Sequence, residues 1–512
     1  MKKLASLTIF FGFTMLAAAS GYGEETPQII VASPQQVEEV PQQIELSLAD
    51  AVKMAVRRNI DLRTEALNAS MAETDVAGSR GIYNPVFTAT ATGGITSVPG
   101  DPFFDTKSAL ASLGLAQNLS TGGNVSIATQ TGFTTFDNDI PGTVSDDWQS
   151  AVGITVTQPL LKNGGKKTTE LNITLAANTL QSSLERFRWA NTDTVLAVLT
   201  AYNHLYTLRQ VTESRVAALN SAQQLLDEIT KRAKPTSLQA MESANAEYAV
   251  AQRQKELVEA ERNARDQEAS LRYLIGMESK IQLIPVDPPS LEEPPETEEE
   301  AVKMALEHRS ELKEFRLALK ASQLQEEVAR HQKLPDLTIS GGAGLNGTAD
   351  TFDRSVREIS NNPGTWWSAG AQFIAPLGNA VAKNDYLKSR FRTEQAKNQI
   401  QAVEWRIRNE VEEDLRALIS ARLQMQVADK ALPIATLRRE EYLKQSRAGV
   451  STIQDVINAE NDLASARNAR TEAVETFANA VAKLWRDIGV LLDRQGVHID
   501  ISKPDNLMGA RR

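Results

Sequence analysis

The chain contains no cysteine, only four histidines and few aromatic residues, 5% of its 512 positions. Without thiols there are no disulfides, thiolate metal sites or cysteine nucleophiles, and the redox compartment stays undecided. His204, His308, His331 and His498 are scattered, and none belongs to a His-Glu-x-x-His pair or stands beside a nucleophile. Gly164-Gly-Lys-Lys-Thr168 has the ending of a phosphate loop, but Leu160 occupies the place of its first glycine. Gly341-Gly-Ala-Gly344 has no lysine after it and lies in a strand pattern, where glycine permits close packing. No catalytic residue, cofactor or metal site is expected, and the chain does not read as an enzyme. Basic patches are also missing and the net charge is −10, so nucleic acid is not expected as a partner.

Long hydrophobic runs are scarce. One apolar stretch, Leu4 to Met15, follows Lys2-Lys3 and precedes Ala17-Ala-Ala-Ser20. A positive start, a short apolar run and small residues predict a secretory signal peptide over 1–20, the run being short for a transmembrane anchor. The lack of a cysteine behind it excludes a lipoprotein anchor. No other segment approaches a spanning helix, so a chain embedded in a bilayer has to cross it through strands. Residues 21–45, rich in Pro, Gln and Glu, predict a disordered leader.

What is present is a repeat. Ala51-Val-Lys-Met-Ala55 returns as Ala301-Val-Lys-Met-Ala305, Leu62 as Leu312, Leu67 as Leu317 and Pro85 as Pro335, all at one spacing. Further on, Gln158-Pro-Leu-Leu161 answers to Ala375-Pro-Leu-Gly378, and Leu274-Ile-Gly276 to Asp487-Ile-Gly489. A collinear series of this length marks a duplicated chain. The predicted organisation is a first repeat over 46–277, a Pro/Glu-rich linker over 278–298, a second repeat over 299–490 and a polar C-terminal tail over 491–512.

Within each repeat the hydrophobic period switches. Leu46-Ser-Leu-Ala-Asp50 opens a helix that runs to about Gly81, with Ser47 as its cap. From Pro85 to Leu161 the period is two: Phe87, Ala89 and Ala91 alternate with threonines, and Val152, Ile154 and Val156 with Gly153, Thr155 and Thr157. Such strands suit a sheet between two different solvents, and their lengths fit tilted transmembrane strands. Trp148 and the pair Trp366-Trp367 stand at strand ends, where an interfacial aromatic girdle needs them. A soluble β-sandwich flanked by helices is the alternative on the strands alone. From Lys166 a long helix runs to about Lys231, turns at Pro235 and returns to Gly276; the second copy turns at Gly449. In its return helix Val456, Leu463, Phe477 and Leu484 fall seven apart, with Ala459, Ala466, Ala473 and Ala480 at the offset position, a coiled-coil seam.

Helix, strands and long helical hairpin, given twice, resemble the TolC-type outer-membrane efflux protein family. The carrying residues are Leu46 to Ala55 with Asn59-Ile-Asp-Leu62, Asn84-Pro85 before a strand, Gln158-Pro-Leu-Leu161, and Arg447-Ala-Gly449 before Gln454-Asp-Val-Ile-Asn-Ala459. The resemblance covers about 46–490. It implies an α+β membrane protein and a homotrimer, with long antiparallel coiled-coil helices forming a periplasmic tube and strands forming a barrel shared between protomers. It also implies an exit duct in the outer membrane of a Gram-negative-type bacterium, in contact with outer-membrane lipid. Such ducts conduct passively for a tripartite efflux or type I secretion system, joined by a periplasmic adaptor to an inner-membrane transporter. The alternative is a periplasmic coiled-coil scaffold, which uses the helices and leaves the strands unexplained.

Two departures stand out. The first repeat has an extra strand pair, Leu113–Leu119 and Asn124–Phe133, which either enlarges the barrel or folds elsewhere. Family members also constrict the periplasmic end with acidic residues near the helical turns. Carried over from Gly449, that position is Asp455, with Asn458 one turn inward; in the first copy the nearest acid is Glu242. These three are the candidate aperture.

Overall fold

The computed structural model describes residues 43–97, 105–137, 145–232, 237–278, 281–292, 294, 297–448 and 450–498. In the first repeat, strand β1 (Gln43–Leu46) leads into helices α1 (Leu48–Arg58) and α2 (Ile60–Arg80). Strands β2 (Val86–Ser97), β3 (Asp105–Asn118), β4 (Asn124–Asp137) and β5 (Ser145–Pro159) follow. A short helix, α3 (Lys166–Thr169), precedes the long α4 (Leu171–Arg232), and α5 (Ser237–Leu274) runs back along it. Strand β6 (Gln282–Pro285) closes the repeat. The second contains α6 (Glu298–His308), α7 (Ser310–His331), β7 (Asp336–Ala349), α8 (Phe352–Asn361), β8 (Gly364–Ile374), α9 (Ala380–Arg447) and α10 (Ile453–Asp487), then a last turn, α11 (Leu491–Arg494).

At 62 and 68 residues, α4 and α9 are each on the order of 100 Å long. α4 contains no proline, whereas α9 carries Pro433 in its interior. Within its own repeat each long helix packs on two long partners, α2 and α5 beside α4 and α7 and α10 beside α9, and α4 also packs on α7 and α10 of the second repeat. The expected seam is buried along most of its length, with Ala466 and Ala480 half-buried. Val456, Leu463, Phe477, Leu484, Ala459 and Ala473 are buried, and the interrupting Arg470 is exposed and paired with Asp429 at 2.7 Å.

The helix expected to run unbroken to Gly81 is two helices. Asn59 breaks it: its side-chain oxygen accepts from the backbone N–H of Asp61 and Leu62, capping α2, while its amide donates to the Leu274 carbonyl at 3.0 Å. Arg309 at the matching break of the second repeat makes only the second of these contacts, donating from Nε to the Asp487 carbonyl at 2.8 Å and leaving α7 without a side-chain cap. The return helices end at Gly276 and Gly489, with φ of 66° and 83°. A Cβ on Gly276 would lie 2.6 Å from the Arg58 carbonyl oxygen, and one on Gly489 2.9 Å from the His308 Cβ. Glycine is therefore required where each return helix abuts the α1–α2 or α6–α7 break. This is why Leu274-Ile-Gly276 recurs as Asp487-Ile-Gly489.

Three boundaries are corrected. Residues 43–45, expected in the leader, belong to β1, which pairs in parallel with β6 inside the expected linker. Tyr202 on α4 locks the pair, donating to the Leu46 carbonyl at 2.8 Å and accepting from the Asp287 N–H at 3.0 Å. The expected tail begins with core: Leu491 is buried and Arg494 lies over the Trp485 ring. The signal peptide, most of the leader and the last residues of the tail lie outside the described residues.

All six remaining strands form one antiparallel sheet, in the order β2-β3-β4-β5-β7-β8. The extra pair of the first repeat is thus β3 and β4, inserted between β2 and β5.

Candidate functional site

The sheet has two chemically distinct faces. Residues paired across antiparallel strands share a face, so the register defines both. One face carries Phe87, Ile95, Leu113, Leu115, Ile127, Phe133, Val152, Ile154, Val156, Leu345 and Phe373. The other is mostly polar or small, carrying Thr88, Thr90, Ser112, Ser126, Gln130, Thr155, Ser340, Gly344 and Gln372, with Val86, Leu110 and Ile374 as exposed apolar exceptions. On the apolar face Phe87, Ile95, Leu113, Leu115, Ile127, Ile154, Ile339 and Phe373 are exposed. An apolar patch of this extent belongs against lipid or another protein, and apolar-out, polar-in alternation is the pattern of a membrane barrel. Among the described residues no helix is long and apolar enough to cross a membrane.

The three tryptophans divide between the faces. Trp148 and Trp367 lie on the apolar side; Trp148 stacks on Phe133 with ring centroids 5.4 Å apart, and Trp367 is 82% exposed. Trp366 turns to the polar side. Its indole lies over Gly153, Gly342 and Gly344, so close that a Cβ on Gly153 would be 2.4 Å from the ring. The sequence places Trp366 and Trp367 together, but neighbours in a strand point opposite ways, so Trp366 lies on the face opposite Trp148 and Trp367.

At the far end of the helical hairpins, Asp455 has a defined local task. It accepts from the Thr452 N–H at 3.0 Å and the Thr452 hydroxyl at 2.6 Å, while its own N–H donates to Thr452 Oγ1 at 3.2 Å. This is a capping box at the start of α10. The side-chain and backbone hydrogen bonds of Thr452 hold the Asp455 carboxyl below its ordinary range. Asn458 is exposed one turn on and accepts from the Gln454 amide at 3.1 Å. Glu242 is half-buried on α5. Pro235 and Gly449, the expected turns, lie outside the described residues. A cavity of about 280 Å³ separates the two hairpins beside this end, lined by Leu225, Ala246, Arg439, Val456 and Glu460.

Sequence reasoning missed a buried ionic knot where α6–α7, α9 and α10 meet. Arg309, with no exposed side-chain surface, donates to Glu410 at 2.5 Å and to Asp487. Arg486 contacts Asp487 at 2.5 Å and Asp193 at 2.7 Å, and its guanidinium lies 4.2 Å from the Trp189 ring centroid. Burial pushes the Asp487 carboxyl up, but the hydrogen bond with Asp414 and the charges of Arg309 and Arg486 outweigh it and hold it low. Asp414 has the opposite fate: burial and the neighbouring Asp487 raise it to about 7, against the pull of Lys483 at 2.8 Å. A signal existed, since Arg309 and Asp487 replace the neutral Asn59 and Leu274 at matching repeat positions. Among the described residues no group of acidic and histidine side chains could hold a metal ion.

Residues 301–490 match the family model described as outer membrane efflux protein. The pyoverdine export outer membrane protein OpmQ of Pseudomonas aeruginosa is 24% identical over 347 residues, 62% of this chain and 67% of that one. The fold is that of the Campylobacter jejuni CmeC outer membrane channel, with a TM-score of 0.65 at 16% identity over 87% of this chain and 86% of that one. The Vibrio cholerae outer membrane protein VceC gives 0.63 at 15% identity, over 86% and 96% of the two chains.

Proposed function

From the match of residues 301–490 to the outer membrane efflux protein model we propose that the chain is the exit duct of a tripartite efflux or type I secretion system. The carrying observation is the two-faced sheet joined to helical hairpins on the order of 100 Å long. The apolar face meets outer-membrane lipid, the polar face lines a water-filled passage, and the helices reach down through the periplasm. One protomer's sheet leaves two open edges, which lipid does not tolerate, so several copies share one barrel, three of them in the arrangement that the family resemblance implies. The duct conducts passively. A periplasmic adaptor couples it to an inner-membrane transporter that supplies the energy and selects the cargo.

The aperture lies at the hairpin ends, with Asp455 repeated threefold and Asn458 and Glu242 nearby. A ring of carboxylates favours cations. Because Asp455 also caps α10, Asp455→Asn separates the roles, keeping an acceptor for the Thr452 N–H while removing charge. In planar bilayers Asp455→Asn is expected to lose cation preference and Asp455→Ala to raise conductance as well. Unchanged selectivity in both variants would remove Asp455 from the aperture.

The duct itself is tested by membrane fractionation and crosslinking, followed by electrophoresis of heated and unheated samples. The expected result is a heat-sensitive trimer in the outer membrane. A soluble periplasmic monomer would overturn the reading.

A further inference from the structure

The β3–β4 hairpin is an integral part of the sheet. β3 pairs with β2 from Val86–Ala116 to Ser97–Asp105, and β4 with β5 from Asn124–Thr157 to Phe136–Ser145. Its apolar residues Leu113, Leu115 and Ile127 are exposed in the same band as Phe87, Ile154 and Ile339. The turn that joins β3 to β4 is fastened to the strand-to-helix connection. Thr121 Oγ1 donates to Gln158 Oε1 at 2.7 Å, Gln158 Nε2 to the Thr121 carbonyl at 3.1 Å, and the Gly165 N–H to that carbonyl at 2.8 Å. Gly122, at φ 88°, sits where a Cβ would be 2.6 Å from the Asn163 carbonyl oxygen. The hairpin is therefore docked at both its strands and its turn.

Two edges stay unpaired within the protomer, β2 and β8, and the side chains of both strands are almost all exposed. β2 leads away from the helices and β8 leads back to them. The edge of one copy thus meets the edge of the next in antiparallel sense, and an even number of strands per copy lets this pairing repeat around a ring.

We propose that β8 of each copy pairs with β2 of the next and that the β3–β4 hairpin is part of the membrane wall, giving a barrel of eighteen strands. The number is three copies of a six-stranded sheet, and it rests on the trimeric duct proposed above. With strands about 4.8 Å apart and tilted about 40°, eighteen strands close at a radius of about 18 Å, against about 12 Å for twelve if β3 and β4 stood outside the wall.

A chain without cysteine allows a clean test. Ala343→Cys places one nitroxide per copy on the exposed apolar face of β7, a strand common to both arrangements. Symmetry-related backbone positions would be about 31 Å apart in the eighteen-stranded barrel and about 21 Å in a twelve-stranded one. Double electron–electron resonance on the full chain in lipid vesicles reads this difference of about 10 Å, and its modulation depth counts the spins. Three spins at the longer separation support the proposal. Three spins at the shorter one overturn the eighteen strands and leave the trimer standing; fewer than three overturn the trimeric reading itself. Independently, labels at Leu113→Cys and Ser112→Cys should respond oppositely to dissolved oxygen and a water-soluble nickel chelate, and equal accessibility to the chelate would place the hairpin outside the wall.

Discussion

Replacing Asp414 with Asn should make the protein more stable at alkaline pH and leave it nearly unchanged in acid. Asp414 is 1% exposed, next to Asp487, and its carboxyl is raised from 3.8 to about 7. A raised carboxyl binds its proton more tightly in the folded chain, so ionisation works against folding. The penalty is absent below the unfolded value of 3.8, grows between 3.8 and about 7, and is complete above that. At about 1.4 kcal/mol per pH unit, it reaches roughly 4 kcal/mol at pH 8 and about 1 kcal/mol at pH 4.5. Asparagine mimics the neutral acid and can still donate to Asp487; the Lys483 side chain, 51% exposed, returns to water. The variant's advantage over the parent should therefore widen by roughly 3 kcal/mol between pH 4.5 and 8. Guanidinium unfolding of the detergent-solubilised protein, followed by circular dichroism across that range, measures it. Asp487, held low, acts in the other sense: its contribution is present above its unfolded value and is lost as pH falls through its lowered one. Stability curves of parent and variant that run parallel from pH 4.5 to 8 would refute the reasoning.

Arg309→Ala should cost on the order of 3 kcal/mol, because it strips the buried Asp487 of one cation and leaves its carbonyl without a partner; the same unfolding assay at pH 7 reads it. Gly122→Val should undock the β3–β4 turn, through a forbidden φ and the clash with Asn163. Its signature is faster proteolysis within β3–β4 while the helical hairpins stay protected.

The duplication, the strand alternation and the heptad seam were legible in the sequence because each depends on a local period that one helix or strand imposes by itself. The features that escaped depend on distant partners. β1 is four residues that become a strand only because β6 lies beside it, more than two hundred positions away. The helix break at Asn59 is set by the Leu274 carbonyl as much as by Asn59's own cap. Alternation does distinguish Trp366 from Trp367, but the glycine bed that receives Trp366 is assembled from β5 and β7. At the hairpin ends, sequence marked Asp455 as charge, whereas its geometry also makes it a cap.

Helix α8 has a consequence for how deeply the protein sits in its membrane. It packs on the apolar side of β5 and β7, where Ser355 and Ser150 share a buried hydrogen bond of 2.8 Å and Phe352 meets Trp148 edge to ring at 5.6 Å. Its outer surface mixes Phe352 and Val356 with the charged pairs Arg354–Asp350 and Arg357–Asp353. From Val156 to Trp148 the strand climbs roughly 27 Å, or about 21 Å of height at the tilt of a barrel, close to the apolar band of an outer-membrane protein. α8 caps that span like a fender on a hull. In the proposed duct, acyl chains would rise against the wall only as far as this brim, so the helix, rather than a ring of aromatics alone, would set the waterline.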